Sequence, residues 1–466
     1  MIPTAPGGPH QNLAVDHLLR KLESERRPIR VGLIGAGTTG RAVALQLGLR
    51  VPGIRLAGIA NRTAAHAERA LHEAGLDRVG RADTARAAAA HIEAARVVLT
   101  EDWRVLTRCD AIDIVVEVTG TVAFAAEVVL DAIEHRKDVV MVNAGLDSLV
   151  GPILKARADA AGVVLTHTDG DEPGVAMTLL RYLQSLGLKP VAAGNIKGMV
   201  DHYRTPDTQR AFAEKVGQDA QKVASFADAT KLSMETCVLA NATGFGVGRR
   251  GMFGPACSDV RELARLLPAE ALLGGGIVDY CVGAAPHTGA FVVVHETNRY
   301  QRAQFEYFKL GDGPFYVFYT PYHLPHMQLM STIGRAALHG DATAAPLGAP
   351  SCEVVAVAKR DLRVGERLDG PGGFCSYGLI DNRAAARAMN ALPMAMSEGC
   401  VLRRAVPKDR VISFEDVERA PRTLVDDLWD EQLRRWTEPD MAKDGPARAL
   451  ADVPSVPGCT AAATFG

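Results

Sequence analysis

The stretch IRVGLIGAGTTGRAVALQLGL (residues 29–49) changes its periodicity in the middle. Ile29 to Ile34 alternate as a buried strand, and Gly35-Ala36-Gly37-Thr38-Thr39-Gly40 make a glycine-rich turn. Val43, Leu45 and Leu47 then continue at helical spacing. A GxGxxG run alone is weak, but between a strand and a helix each glycine has a task. Gly35 permits the tight turn, Gly37 lets the backbone approach a pyrophosphate, and Gly40 lets the helix pack on the strand. The helix N-terminus, from Thr38 and Thr39, offers free N–H groups to phosphates. The context predicts a dinucleotide-binding fold, with a βα turn lacking a ligand as the plainer alternative.

The second strand, IRLAGIANRT (residues 54–63), ends about twenty residues after the last glycine, where an NAD site places an acid for the ribose hydroxyls. This chain has Asn61, Arg62 and Thr63 there, and no carboxylate. The Arg62 fork suits a 2′-phosphate and Thr63 can add a hydrogen bond, so NADP (NADPH) is favoured over NAD. A solvated surface arginine is the alternative.

After an Ala-rich helical stretch at 82–95, AIDIVVEVTGT (111–121) and KDVVMVNAG (137–145) read as buried parallel strands. The carboxyl ends of such strands line the crevice, which puts Glu117, Thr119, Gly120 and Asn143 near the nicotinamide. A helix from about 151 to 161 and the strand GVVLTHT (162–168) follow. Residues 28–166 are thus expected to form a Rossmann-type, doubly wound α/β sheet behind a polar arm, residues 1–27.

At 466 residues the chain needs two or three cores. Its formal charge of −2 gives no reason to expect nucleic acid or an anionic membrane as partner, and no apolar run approaches the roughly 20 residues of a membrane span. The N-terminus has no apolar signal core, so a cytoplasmic protein is expected. The eight cysteines (109, 237, 257, 281, 352, 375, 400 and 459) contain no CxxC pair, which argues against zinc ribbons and redox dithiols and fits a reducing compartment. Most read as small buried hydrophobes, with Cys459 as an exposed thiol in the tail.

HTDGDEPGVAM (167–177) then crowds Asp169, Asp171 and Glu172 between Gly170 and Pro173, at the carboxyl end of a strand. That position makes the acidic turn a pocket element.

The motifs GLIGAGTTG, VVEVTGT, VVMVNAGLDSLVGP and GDEP are followed in order by ANATG (240–244), GMFGP (251–255), GDGPFYVF (311–318) and PYHL (321–324), then by CEVVAVAKRDLRVGERLD (352–369). Over residues 28 to 420 the chain resembles the homoserine-dehydrogenase-like oxidoreductases with a C-terminal SAF domain, and most closely the 1-deoxy-D-xylulose 5-phosphate reductoisomerase-like proteins of isoprenoid biosynthesis. The resemblance implies a skeletal rearrangement before reduction. One departure bears on the reaction: homoserine dehydrogenases follow this asparagine with a lysine, whereas Asn143 is followed by Ala144. The proton donor must then come from elsewhere, and homoserine oxidation is disfavoured.

On the substrate side, GVAMTLLRYLQSLG (174–187) reads as an amphipathic helix and KPVAAGNIKGM (189–199) as a strand ending near Lys197. Lys197 is the best replacement acid, since a lysine facing a dry pocket has a lowered pKa and can protonate an alkoxide; an exposed surface lysine is the alternative. TKLSMETCVLANATGF (230–245) reads as a helix with Glu235 and Asn241 turned inward, Lys197 being a candidate partner for Glu235. Arg249 and Arg250 suit an anionic group, and Tyr322 and His323 follow an aromatic strand, His323 as acid or orienting group. Asp171 and Glu172 are read as receiving substrate hydroxyls, with Asp169 in the same wall. No HxxE or HxH spacing supports a metal, so a divalent ion is the less favoured reading.

The chain is expected to divide into a dinucleotide domain (28–166), an α+β substrate and dimerisation domain (167–345, its last helix packing back on the first domain), a β-rich SAF domain (346–420), and a helix with a mobile tail (421–466). The expected activity is an NADP-dependent oxidoreductase of a small polyhydroxylated carbonyl compound, phosphorylated or not, working as a homo-oligomer. Lys197, His323, Asp171, Glu172 and Asn143 would act at the reacting centre. Gly35, Gly37, Thr38, Thr39, Gly40, Asn61, Arg62, Thr119, Gly120 and again Asn143 would hold the cofactor, and Asp169, Glu235, Asn241, Arg249 and Tyr322 the substrate. The alternatives are a simple dehydrogenase of a sugar acid or biosynthetic aldehyde, and a non-catalytic NADP sensor.

Overall fold

A computed structural model of the protein describes residues 15–48 and 51–437. Residues 1–14 of the expected arm, Cys459 and the tail beyond residue 437 lie outside them.

Seven strands make the first sheet: β1 (Ile29–Ile34), β2 (Ile54–Ala60), β3 (Val79–Arg81), β4 (Val97–Thr100), β5 (Ile114–Glu117), β6 (Asp138–Met141) and β7 (Leu165–His167). Their order is β3-β4-β2-β1-β5-β6-β7 and every pairing is parallel. β1 is buried except at Arg30 and β5 throughout, as strands covered by helices on both faces must be. The chain winds one way from β1 through β2 and the other way through β5, so the crevice opens between the carboxyl ends of β1 and β5. The register aligns Ile34 with Glu117, Glu117 with Met141, and Met141 with His167. The segments after all four strands therefore emerge at one edge. The sheet is the expected Rossmann-type α/β fold.

Three local details differ from the sequence reading. β4, VVLT, was not anticipated; it is four residues long and too buried to alternate, beside an Ala-rich helix that runs only Ala85–Glu93. The helix expected from 151 begins at Ala144, where Asn143 accepts the Leu146 N–H at 3.1 Å as N-cap. The second half of the polar arm is a helix, Asp16–Ser24, whose Leu19 is buried with the preceding Val15.

The second sheet contains β8 (Lys189–Lys197), β9 (Ile277–Val282), β10 (Ala290–His295) and β11 (Phe315–Thr320) in the order β11-β10-β8-β9. The helices Glu172–Ser185 and Thr230–Thr243 pack on one face, and a separate apolar cluster with Leu263, Leu267 and Leu272 covers the other. The helix Pro325–His339 leaves this unit and buries Leu329, Met330, Ile333 and Ala336 among β1 and the glycine-loop helix Thr38–Gly48.

The C-terminal unit is built on the antiparallel pair β12 (Cys352–Ala358) and β13 (Ser376–Asn382), with the two-residue strands β14 (Val401–Leu402) and β15 (Val417–Glu418). One face of the β12–β13 hairpin shares a core with the helix Thr230–Thr243 through Val354, Ala356, Ile380, Leu232 and Cys237. The final helix, Leu424–Arg435, returns to the first sheet and buries Val425, Leu428 and Trp429. It also repairs a defect: Pro152 interrupts the helix Ala144–Ala161, and Gln432 accepts the Ile153 N–H at 3.2 Å and donates to the Leu149 carbonyl at 2.9 Å. Among the described residues, no helix is long and apolar enough to cross a membrane.

Candidate active site

A cleft of about 1090 Å³ opens at the shared carboxyl edge. At one end it is lined by Thr39, Thr119, Gly120 and Asn143, in the middle by Asp171, Glu172, Lys197, Lys231, Glu235 and His323. The C-terminal unit forms an outer wall through Arg367, Glu398 and Arg419.

The glycine loop fits a pyrophosphate. Gly35 has φ of +112°, which its position requires to be glycine, and a Cβ on Gly40 would stand 2.1 Å from the Gly35 carbonyl oxygen. At Gly37 a Cβ would meet nothing within 4 Å, so the loop leaves open space where the helix N-terminus points. Asn61 braces the loop, accepting the Ala36 N–H at 3.1 Å and donating to the Thr63 carbonyl at 2.9 Å, which leaves it one further N–H. Arg62 is exposed at the end of β2, with no ion pair among the described residues. A carboxylate does stand nearby: Glu101, which follows β4, accepts the Ala64 N–H at 3.2 Å.

Glu117 is wholly buried, and burial pushes its carboxyl up to about 7 although it accepts the Thr119 N–H at 2.6 Å and the Thr119 hydroxyl. It fixes the Thr119-Gly120 turn from behind and does not line the cleft. Asn143 does line it; its Oδ1 caps the following helix, and its buried amide side chain lies toward Glu117, whose carboxylate it helps to hold ionised.

The acidic turn is a bend followed by a helix start. Gly170 has φ of +89° and lies against the Leu324 backbone, where a Cβ would be 2.6 Å from the carbonyl oxygen. Asp171 is the residue before the helix Glu172–Ser185, and Pro173 occupies the first turn. This geometry sends its three acids in different directions. Asp169 points into the protein, accepting from Thr178 Oγ1 at 3.0 Å and Ser331 Oγ at 3.2 Å, and does not line the cleft. Asp171 and Glu172 do.

Around them lies a chain of alternating charges. Lys231 Nζ donates to Asp171 Oδ1 at 3.1 Å and also to Glu235 Oε1. Lys197 Nζ donates to Glu172 Oε1 and to Glu235 Oε2, the latter at 3.4 Å. Asn195 donates to the same Glu235 oxygen at 3.0 Å, and His323 Nδ1 stands 3.5 Å from Glu172 Oε2. Glu235 is 1% exposed; burial and the neighbouring Glu172 carboxylate raise its pKa. The expectation of a lowered pKa at Lys197 is corrected: burial acts in that direction, but Glu172 and Glu235 overcome it and the pKa is raised. Asp171 is held well below the ordinary carboxylate range by Lys231 and His167, against burial, and Glu172 is lowered to about 2, chiefly by Lys197.

Three other expected substrate residues lie outside the cleft. Asn241 Oδ1 accepts the Ser351 and Cys352 N–H groups at 2.8 and 3.2 Å and clamps the C-terminal unit. Arg249 closes its own loop on the Met252 and Phe253 carbonyls at 2.9 and 3.0 Å, while Arg250 pairs with Asp381 at 2.6 Å. Tyr322 is 51% exposed and faces outward. Conversely, Lys231 went unnoticed in the sequence. The clue was its position four residues before Glu235 on one helix, a spacing at which the two side chains meet.

Asp171, Glu172 and His323 each offer a ligand atom within 4.8 Å of the others. Both oxygens of Asp171 are already taken by Lys231 and His167, and one of Glu172 by Lys197. Glu172 Oε2 and His323 are too few donors for a hard divalent ion, so the arrangement does not fit a resident metal.

Residues 32–166 match the family model described as homoserine dehydrogenase, NAD binding domain, and residues 170–329 match that of oxidoreductase DRL, catalytic domain. No curated protein matches the sequence. Solved structures similar to the chain include a "probable dehydrogenase" from Thermotoga maritima (12% identity over 68% of this chain and 90% of that one, TM-score 0.40). Others are myo-inositol dehydrogenase from Lactobacillus casei in complex with NAD(H) and myo-inositol (14%, 64% and 68%, 0.32) and a myo-inositol dehydrogenase from Corynebacterium glutamicum (10%, 67% and 89%, 0.38). The two matched segments, meeting at this cleft, make the chain an NAD(P)-dependent oxidoreductase.

Proposed function

We propose that the enzyme uses NADP to reduce, or reversibly oxidise, a small polyhydroxylated carbonyl compound between Asn143 and the lysine pair Lys197 and Lys231. The observation that carries this reading is the continuity of one cleft from Thr39, past Asn143, to Lys197, Lys231 and Glu235. When bound, the nicotinamide supplies or accepts the hydride. Asn143, which lines the cleft beside Thr119 and Gly120, would border the nicotinamide. Lys231 donates a hydrogen bond to the carbonyl oxygen and passes it a proton as alkoxide forms; in the reverse direction it first yields a proton to Glu235 and then takes the one on the substrate hydroxyl. Glu235 touches both lysines and returns the proton to Lys231. Lys197, Glu172 and His323 continue the path to the mouth of the cleft, where His323 is only part-buried.

NADP over NAD rests on Arg62, exposed and without an ion pair at the end of β2; Glu101 nearby works against it. A substrate phosphate would find two exposed cations on the outer wall, Lys222 and Arg367, rather than the arginine pair. A rearrangement before reduction, as in the reductoisomerase-like proteins, is the extended form of this proposal, since Asp171 and Glu172 can accept hydrogen bonds from substrate hydroxyls while Glu235, whose pKa is raised, exchanges the proton.

The test is NADPH consumption against a panel of ketose phosphates, aldoses and sugar acids, with products identified by mass and NMR. Turnover with a hydroxy-carbonyl compound is expected, and a changed carbon skeleton would establish the rearrangement. Cofactor binding with no turnover across the panel would overturn the reading in favour of a sensor.

A further inference from the structure

His167 ends β7 and is completely buried, its Nδ1 3.0 Å from Asp147 Oδ2 and its Nε2 3.1 Å from Asp171 Oδ2. A neutral imidazole has one N–H and one lone pair. When both aspartates are ionised, two oxygens at these distances need two N–H donors, and turning the ring over only exchanges which oxygen would face the lone pair.

The surroundings are built for this arrangement. Asp147 is 1% exposed and sits one turn along the helix that Asn143 caps, so it is tied to the cofactor end. A Cβ on Gly151 would lie 2.1 Å from Asp147 Oδ1, so glycine leaves the carboxylate its room. That oxygen has no hydrogen-bond partner, which leaves the imidazole as the only group neutralising Asp147 among the described residues. On the other side, Asp171 Oδ1 accepts from Lys231. The charged and titratable groups facing the ring are therefore Asp147 and Asp171 directly, Lys231 through Asp171, and the Cys237 thiol beside Asp147, which burial keeps protonated.

We infer that His167 is a positioning residue protonated at neutral pH, whose imidazolium holds Asp171 ionised and oriented so that Lys231 is fixed facing the cleft. The charge of His167 stands by itself, whereas its consequence for turnover rests on Lys231 being the proton donor. Burial alone would push the imidazole pKa down; the two carboxylates reverse this and bring it up to about 9. The device ties the nicotinamide edge, through the Asn143 helix, to the lysine on a separate helix. His167 does not itself line the cleft and reaches it only through Asp171.

Nitrogen-15 NMR of the histidine-labelled wild-type enzyme tests the charge without a substrate. At pH 7.5 one ring is expected to show both N–H protons, each protected from exchange, and to lose both in His167→Gln. A single protected N–H, marking a neutral ring, would overturn the inference. The positioning role is read from His167→Gln and the milder Asp147→Asn. In His167→Gln, infrared spectra at neutral pH should gain a protonated-carboxyl band, because a buried aspartate has lost its cation. In both variants kcat should fall at least tenfold, with NADPH affinity within twofold of wild type. The acid limb of the pH–rate profile should move upward by a unit or more in His167→Gln. A folded His167→Gln enzyme with an unchanged profile and no new carboxyl band would contradict the role. If no compound is turned over, the proposed reaction fails, while the NMR and infrared results still decide the charge of His167.

Discussion

Lys231 Nζ stands 3.1 Å from Asp171 Oδ1, joining the first turn of a helix to an acidic turn about sixty residues earlier in the chain. Neither residue is informative alone. Together they put an ammonium group with an anchored direction at the middle of the cleft. Lys231→Met keeps the length of the side chain and removes the charge. Turnover should fall by about two to four orders of magnitude, the range for a lost proton donor, with NADPH affinity nearly unchanged. Stopped-flow and equilibrium titration separate the two effects; a proportionate loss of cofactor affinity would place Lys231 in binding instead.

Arg62→Ala should weaken NADPH by about 1–3 kcal/mol, the worth of a charged hydrogen bond, and leave NADH almost unaffected. Equal weakening of both cofactors in fluorescence titrations would remove the 2′-phosphate role and leave Arg62 as a surface residue.

His167 also makes stability depend on pH. Its folded-state pKa of about 9 lies above the ordinary value of 6.5, so the folded state holds the proton more tightly. Its contribution is fully present below pH 6.5 and is lost as pH rises through 9, about 3 kcal/mol by linkage. Urea midpoints measured from pH 6 to 9.5 should fall more steeply for wild type than for His167→Gln. Parallel curves would mean that the ring does not carry this linkage.

The C-terminal unit is fastened by Lys359, 4% exposed, which donates to Asp228 Oδ2 at 2.9 Å and to the Arg204 and Gly373 carbonyls at 2.6 and 2.7 Å. Asp228 Oδ1 accepts the Thr230 N–H at 2.8 Å, at the start of the helix that carries Lys231. Lys359→Met leaves a buried carboxylate uncompensated and should cost about 3–5 kcal/mol in chemical denaturation. Adding Asp228→Asn should restore part of that loss. No recovery in the double variant would show that the carbonyl contacts of Lys359, not the ion pair, dominate.

The sheet was legible because its information is local. In IRVGLIGAGTTG the change from strand to glycine turn to helix is written within one dozen residues, and strand ends such as Thr119 and Asn143 inherit their place from it. The acidic turn was legible as a pocket element for the same reason. What could not be read was the direction of each side chain. Asp169 and Asp171 differ by two positions, yet one bonds inward to Ser331 and the other faces Lys231, because Gly170 bends the chain between them. Arg249 looked like an anion site and instead closes a loop on backbone carbonyls close in sequence. Gln432 and Lys359 act across long sequence separations, and no spacing reports such contacts. Lys197 shows the same limit in electrostatics: its burial was inferred, but the two carboxylates that reverse the effect of burial come from other elements.

The proposed reaction requires the nicotinamide and the lysine pair to share one cleft. A structure of the enzyme with NADPH bound tests this most directly. The nicotinamide ring should lie against Asn143 with its reactive carbon turned toward the space before Lys231 and Lys197, and with the pyrophosphate over Gly37. A ring directed away from those lysines, or a pyrophosphate elsewhere than the glycine loop, would contradict it.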